Sequence, residues 1–499
     1  MQRRPQAVQA TANCADWVFR RIGVEPIINC TGTRTNYGGS NPSSRVMDAM
    51  AAASRHFVDL DELAEGAGAY IAKLTGAQWG IVSAGSTAAL ALATAACIAG
   101  NDPEAMLRLP DTGDISSDVI VIKSHRFPYD TAIRHVGGTL VEVGDQRELR
   151  NALSNRPAMI CVLGRAEPAG FVRLERLRDL APNVPIVVDA ASLAPTNPDL
   201  WLARGADLVI YSGGKCIRGP QSTGFLIGRK DLCRAAWLNG SPHHAIGRGM
   251  KVGKEEIVGA VTALEDWFSN PSPDFDQHDR ILKTILEQLH DTPVIAQIST
   301  PDGAISPRLH LLWHSEVEVT GRQIREFAFD RHRVKLQDFW TTDSSLSIDP
   351  LNIQSTAEAK LVGLSIAEAF RIVPLTSIDS RRFLEAQSDL SGTWQVDITY
   401  LVVQARHTLE ITQLRDGTIK GLHHGRFGSA AIFGGISGAA VSLSSKMENH
   451  PMNIYFQFDG DVQGNSLVGA VTVGAAADEY AGPTFCSQFG RGTWTAFRA

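Results

Sequence analysis

The sequence predicts an α/β protein built on a mostly parallel sheet, followed by a smaller α+β region and an all-β tail. Three observations predict it. Short Val/Ile-rich runs recur through the first 270 residues with helix-length spacers between them. A second stretch from about 271 mixes helical and strand-like patterns. Beyond about 388 the chain breaks into short alternating segments separated by Gly, Asp and Asn turns.

The first region carries VIVIKS at 119–124, TLVEVG at 139–144, AMICVLG at 158–164, PIVVDA at 185–190 and ADLVIYSG at 206–213. Uniformly apolar runs of this length are expected of strands buried on both faces of a parallel sheet. PSPDFDQHDR then opens a helix running to Leu289, and an amphipathic segment spans Thr356–Arg371. After a charged linker near Ser380–Gln387, the segments TWQVDITYLVV, HTLEITQL, DGTIKGLHHG, AAVSLSS, NIYFQFDG, SLVGAVTVG and GTWTAFR read as an antiparallel barrel or sandwich. The expected division is 1–270, 271–379 and 388–499, with Trp394 and Trp494 expected to pack in the core of the last region.

Composition narrows the function classes. Lys plus Arg number 47 against 53 Asp plus Glu, a net charge of −6, so no global basic field points to nucleic acid or an anionic membrane. Hydrophobic content of 44% with 20% charged residues describes a folded chain. Seven scattered cysteines without a Cys-x-x-Cys pair suggest free thiols in a reducing compartment. There is neither a signal-like apolar core after Arg3 and Arg4 nor a run of 18 uncharged apolar residues, so the expected location is cytoplasmic.

The chemistry concentrates between Asp189 and Lys215. The strand Ile186-Val187-Val188 ends at Asp189, at the sheet edge where open α/β folds bind ligands. The next strand ends in Ser212-Gly213-Gly214-Lys215, which delivers an amine to the same edge on a turn that two glycines make permissive. A carboxylate and a lysine so placed suit an aldehyde cofactor with a pyridine ring: the lysine forms a Schiff base and the carboxylate keeps the ring nitrogen protonated. Each alone has a plainer reading, a turn-forming Asp and a surface Gly-Gly-Lys. A third feature joins them. Gly80 to Thr87 leads into the apolar helix AALALATAACIAG, whose N-terminus offers free N–H groups to a phosphate, or is simply capped by Ser or Thr.

Together with Ile28-Asn29-Cys30-Thr31-Gly32-Thr33, Lys123-Ser124-His125-Arg126, Arg218-Gly219-Pro220-Gln221 and Gly247-Arg248-Gly249-Met250-Lys251-Val252-Gly253-Lys254-Glu255-Glu256, these motifs resemble fold-type-I enzymes dependent on pyridoxal 5′-phosphate (PLP). The resemblance is to the selenocysteine synthase-like branch that includes D-glucosaminate-6-phosphate ammonia-lyase, over about residues 20 to 375. It implies an aspartate aminotransferase-type large domain, PLP as cofactor, and at least a homodimer. It further implies Lys215 as Schiff-base lysine and α-proton base, Asp189 at the pyridine nitrogen and His125 stacked on the ring. Gly85, Ser86, Thr87 and Ser212 would hold the phosphate. Arg34 and Arg248 are candidates for the substrate carboxylate, because guanidinium matches carboxylate bidentately.

The activity so implied is a lyase acting on an amino acid or amino-sugar acid by α-proton removal and β-elimination. Racemisation, aldol cleavage and decarboxylation share the same core motifs and stay open, as do selenium transfer and a silent binding role. The pairs His243-His244 and His423-His424 suggest no metal site, since adjacent histidines do not readily share one ion. Cys216 has no neighbouring base in the sequence, so packing or mere proximity to the cofactor is the expected role.

Overall fold

The computed structural model describes residues 17–164, 172–269, 275–300, 306–314, 316–317, 319–337, 342–376, 386–426, 428–448, 453–476 and 491–499. Its centre is a seven-stranded sheet made of β1 (Trp79–Ser83), β2 (Asp118–Ile122), β3 (Thr139–Val143), β4 (Met159–Leu163), β5 (Ile186–Asp189), β6 (Leu208–Ser212) and β7 (Gly224–Gly228). The spatial order is β1-β7-β6-β5-β4-β2-β3. All neighbours from β6 to β3 are parallel, whereas β7 runs antiparallel to both β1 and β6. The five predicted runs are five of these strands. The other two, β1 and β7, each contain glycine and lack a long β-branched run, which hid them from pattern reading.

Alternation through the sheet feeds two cores. Ile120, Ile160, Val188 and Val209 face one layer, packed with helix Lys254–Ser269. Val121, Cys161, Val187 and Ile210 face the other, under helix Ser86–Ala99. That helix is apolar nearly all round because it is buried nearly all round, from Ala88 to Ala99. At the standard coefficient of roughly 25 cal/mol per Å², burial on both faces supplies the main stabilisation of such a sheet.

A third core gathers helices Phe275–Leu286, Gly321–His332 and Thr356–Thr376 around an antiparallel sheet of β8 (Ile295–Ser299), β9 (Arg308–Leu312) and β10 (Ser345–Ile348), in the order β10-β9-β8. Cys30 belongs to this core, and Ile28–Asn29 pairs in parallel with Val334–Lys335, so the N-terminal motif is anchored 300 residues downstream.

The tail is a closed barrel rather than a sandwich. Its strands are β11 (Gly392–Thr399), β12 (Gln404–Gln413), β13 (Thr418–His424), β14 (Ser429–Ser437), β15 (Ala440–Met447), β16 (Asn453–Gln463), β17 (Ser466–Ala476) and β18 (Arg491–Arg498). Pairing of β11 with β18 removes both edges. Trp394 and Trp494 are buried in its core, as the sequence suggests. The interior also holds a polar chain: His407 Nδ1 lies 2.8 Å from His423 Nε2, and His423 Nδ1 lies 2.6 Å from Ser445 Oγ. His423 turns inward and His424 outward, as a two-residue period requires. The linker near 380–387 lies largely outside the described residues. So do Cys14 and Cys486, while Cys30, Cys97, Cys161, Cys216 and Cys233 are free thiols. No helix among the described residues is long and apolar enough to cross a membrane.

Candidate functional site

Strands β5 and β6 lie side by side in parallel, with Asp189 opposite Ile210, so their C-terminal ends bring Asp189 and the Lys215 turn to one edge. Asp189 is buried, and its Oδ1 accepts the Ala191 N–H at 3.0 Å. The carboxylate thus forms the local turn that an Asp in this place favours, and it also faces the lysine. Burial pushes the Asp189 carboxyl above its ordinary range, opposed by the Ala191 N–H and by the Lys215 charge. Burial likewise pulls Lys215 down, against the attraction of Asp189. Each charge is only partly compensated, so a cation arriving at Asp189 would relieve it, and Lys215 is shifted toward the free amine a nucleophile needs.

The glycines before Lys215 work differently from the sequence expectation. Neither Gly213 nor Gly214 has positive φ. A Cβ on Gly213 would come within 2.1 Å of Thr223 Oγ1, and one on Gly214 within 2.6 Å of Gln221 Cα. They are there for close approach of the 220–223 segment rather than for turn freedom.

His125 follows β2 in a short 3-10 turn, Lys123–His125, and is buried. Its Nδ1 accepts the backbone N–H of Leu163 at 3.2 Å, and Leu163 is the register partner of Asp189. The ring is therefore one strand away from Asp189. Burial lowers its pKa to about 4, and the Leu163 donor leaves the proton on Nε2, so His125 presents a neutral N–H. Arg126 is held beside it by Asp130, at 2.5 Å, and by Glu142.

The helix Ser86–Ala99 begins on Gly85, at φ 94°, and no side chain caps it. Ser83 Oγ instead shares its one hydrogen between the Gly85 and Gly224 carbonyls, at 3.0 and 3.2 Å. The Ser/Thr cap considered for this sequence is absent, so the first-turn N–H groups of Ser86, Thr87 and Ala88 remain open to an anion. Gly224, opposite Ser212 in the sheet, permits this arrangement: a Cβ there would stand 2.5 Å from both Gly85 C and Ser86 N. Ser212 and the Gly85–Ser86 turn are thereby neighbours through one glycine.

No family model matches the chain. Individual relatives do. A 5′-C-glycyluridine monooxygenase-decarboxylase from Streptomyces sp is 30% identical over 368 residues, covering 69% of this chain and 90% of the relative. A D-glucosaminate-6-phosphate ammonia lyase from Salmonella typhimurium is 34% identical over 269 residues, covering 50% and 70%. The solved structure of a D-glucosaminate-6-phosphate ammonia-lyase superposes with a TM-score of 0.64 at 26% identity, over 73% of this chain and all of the other. An L-seryl-tRNA(Sec) selenium transferase from Proteus mirabilis is 25% identical over 57% of its length.

The chain belongs to this family of fold-type-I PLP enzymes. Membership implies the cofactor, and the residues present fit it. A buried carboxyl without a full counter-charge, a desolvated lysine on the adjacent strand and an uncapped buried helix meet at one edge of the sheet.

Within this family frame, the arginines separate. Arg34 lies on a loop tied to the lysine turn: Ser40 N–H donates to Gly214 O at 3.0 Å, Gln221 Nε2 to Thr35 O at 2.7 Å, and Gly39 N–H to Arg34 O at 2.9 Å. Gln337 Oε1 accepts from Arg34 at 2.5 Å while its Nε2 donates to Thr31 O, and Asn352 Nδ2 donates to both Gly32 O and Gly39 O. Gln337 and Asn352 were not picked out from sequence, and nothing in their local pattern marks them. Arg248 is exposed and donates to Ser241 Oγ at 3.4 Å; no described contact joins it to the Lys215 turn. Thr87 is exposed in the first helical turn. Lys254 pairs with Glu255, and Cys216 is buried, donates to Leu193 O, and has its thiol pKa pushed up to about 12.

Proposed function

We propose that this protein is a PLP-dependent lyase that removes the α-proton of an amino acid or amino-sugar acid and expels a β-substituent, with Lys215 as the reacting amine and proton carrier. The observation that carries the reading is the pairing of a desolvated Lys215 with a buried Asp189 at neighbouring strand ends, beside an uncapped helix N-terminus. When bound, PLP supplies an electron sink for charge developing at the substrate Cα.

This chain's own residues do the rest. Asp189, buried at its strand end, would hold a positive charge at the ring nitrogen, in a site where burial strengthens charge–charge interactions. His125 lies over the same edge with its Nε2–H fixed by the Leu163 N–H. The backbone N–H groups of Ser86 and Thr87, with Ser212, would receive the phosphate. Lys215, whose pKa burial lowers, accepts and returns the proton at Cα. Arg34, aligned by Gln337, receives the substrate carboxylate, with Arg248 as a second candidate at the loop 239–253. The protein acts as at least a homodimer.

The Streptomyces relative bears a decarboxylase name and is covered over 90% of its length, which favours loss of CO2 as the second reading. Two measurements separate them. Borohydride treatment followed by peptide mass spectrometry is expected to find the cofactor fixed to Lys215 in the wild type, with no such label in Lys215→Ala. Turnover assays on amino acids and amino-sugar acids then read ammonia and 2-oxo acid against CO2. Absence of any label in a protein supplied with PLP would remove the enzyme reading; CO2 without ammonia would replace the lyase by a decarboxylase.

A further inference from the structure

Three described non-glycine residues have positive φ: Arg156, Arg218 and Arg333. Two are explained by helix ends. Arg333 is the left-handed C-cap of helix Gly321–His332, and Arg156 follows the C-cap Asn155 of helix Gln146–Ser154. Arg218 follows no helix. It stands three residues after Lys215 at φ 57°, where its N–H donates to Lys215 O at 3.0 Å and the next residue, Gly219, donates to Gly213 O at 2.7 Å. Glycine would occupy such a position at lower cost, so the fold keeps a long side chain where the backbone resists one.

The direction of that side chain is given by its one described hydrogen bond. Arg218 Nε donates to Asn41 O at 2.9 Å, which carries the guanidinium across from the lysine turn to the segment that also bears Arg34. Several arginines of the large sheet region are instead paired with carboxylates at close range. Arg126 meets Asp130, Arg178 meets Asp207 and Arg204 meets Glu175. Among the described residues, no carboxylate pairs with Arg218, and its two Nη groups make no described hydrogen bond. A guanidinium held by Nε alone leaves a planar fork of donors facing outward, the geometry that grips two oxygens of one anion.

We propose that Arg218 is a substrate anchor, taking a pair of carboxylate or phosphate oxygens of the bound amino acid at the rim of the Lys215 turn. This assignment rests on reading Lys215 as the reacting lysine and adds to it a substrate class: an amino acid whose anionic group reaches the rim. With Arg34 on the adjoining loop, the mouth carries two guanidinium groups, so substrates bearing a second acidic group gain most.

Calorimetric titration of the full-length, cofactor-loaded protein tests it, with both enantiomers of two probes: alanine, which has only the α-carboxylate, and 2-amino-3-phosphonopropionate, which adds a distal anion. Arg218→Gln is expected to weaken at least one probe about tenfold or more, and Arg218→Lys to recover part of the loss, since charge returns without the fork. Loss for both probes places the α-carboxylate on Arg218; loss for the phosphonate alone places the distal anion there. Arg218→Gly relieves the backbone, so it is expected to fold at least as stably as the wild type and to bind as weakly as Arg218→Gln. Wild-type affinity within twofold in the Gln and Gly variants overturns the anchor. A wild type that binds neither probe overturns it too, and borohydride labelling of Lys215 then decides separately whether the lyase reading falls with it.

Discussion

Acidification is expected to loosen the barrel through His423. This imidazole is fully buried, packed edge-on against Phe456 and Phe458 and hydrogen-bonded to His407 and Ser445. Burial, with the neighbouring His407 and His424, lowers its pKa from 6.5 to about 3. In the unfolded chain the same group binds a proton below about pH 6.5, while in the native barrel it stays neutral down to about pH 3. The unfolded state therefore holds more protons throughout that window, and stability falls as pH falls. At 1.36 kcal/mol per unit, moving from pH 6.5 to pH 5 costs about 2 kcal/mol from His423 alone. His407 is also lowered by burial, so its contribution has the same sign.

Hydrogen exchange on the intact protein, corrected for intrinsic rates, reads the opening free energy of peptides from β12, β13 and β15 at pH 7 and pH 5. The His407→Gln/His423→Gln double variant keeps hydrogen-bonding groups but removes both titrations, so its pH dependence is expected to flatten. Equal protection of the wild-type peptides at the two pH values, or an equal loss in the double variant, would refute the reasoning.

Two further substitutions probe the site. Asp189→Asn keeps shape but withdraws a buried negative charge, at a cost of about 3 kcal/mol for an uncompensated partner; kcat/KM is expected to fall roughly a hundredfold or more, while far-ultraviolet circular dichroism stays unchanged. Gly224→Ala inserts a methyl 2.5 Å from Gly85 C and Ser86 N, so the turn must shift. Overpacking of this kind costs about 1–3 kcal/mol, and the expected signature is weaker retention of PLP on dialysis together with a lower melting temperature. A Gly224→Ala protein that keeps its cofactor as the wild type does would mean that the helix start at Ser86 and Thr87 does not hold the phosphate; the Gly85 N–H itself is taken by Ser83 O at 2.8 Å.

Much of the large sheet was legible in the sequence because its signals are local. A strand buried on both faces must be apolar along its length, which exposed β2 through β6, and the residue at each strand's end inherits its position from the strand. Asp189 and Lys215 could be found in this way. Alternation likewise revealed most strands of the tail and the inward tryptophans, but not Ser429–Ser437, whose Gly434-Gly435 pair interrupts the pattern.

What tertiary structure alone decided depends on contacts between distant parts of the chain. Pairing of β11 with β18 turned an open possibility into a closed barrel, and no local pattern encodes which first and last strands meet. The tautomer of His125 is set by the N–H of Leu163, 38 residues away. The Arg34 loop is clamped by Gln337 and Asn352, more than 300 residues downstream, and the two glycines before Lys215 serve the approach of Thr223 and Gln221 rather than the turn. Sequence periodicity specifies which side of an element is buried, because that follows from backbone geometry one element at a time. Partner identity across elements follows from packing in three dimensions, where a single Cβ or one backbone N–H determines which groups can meet.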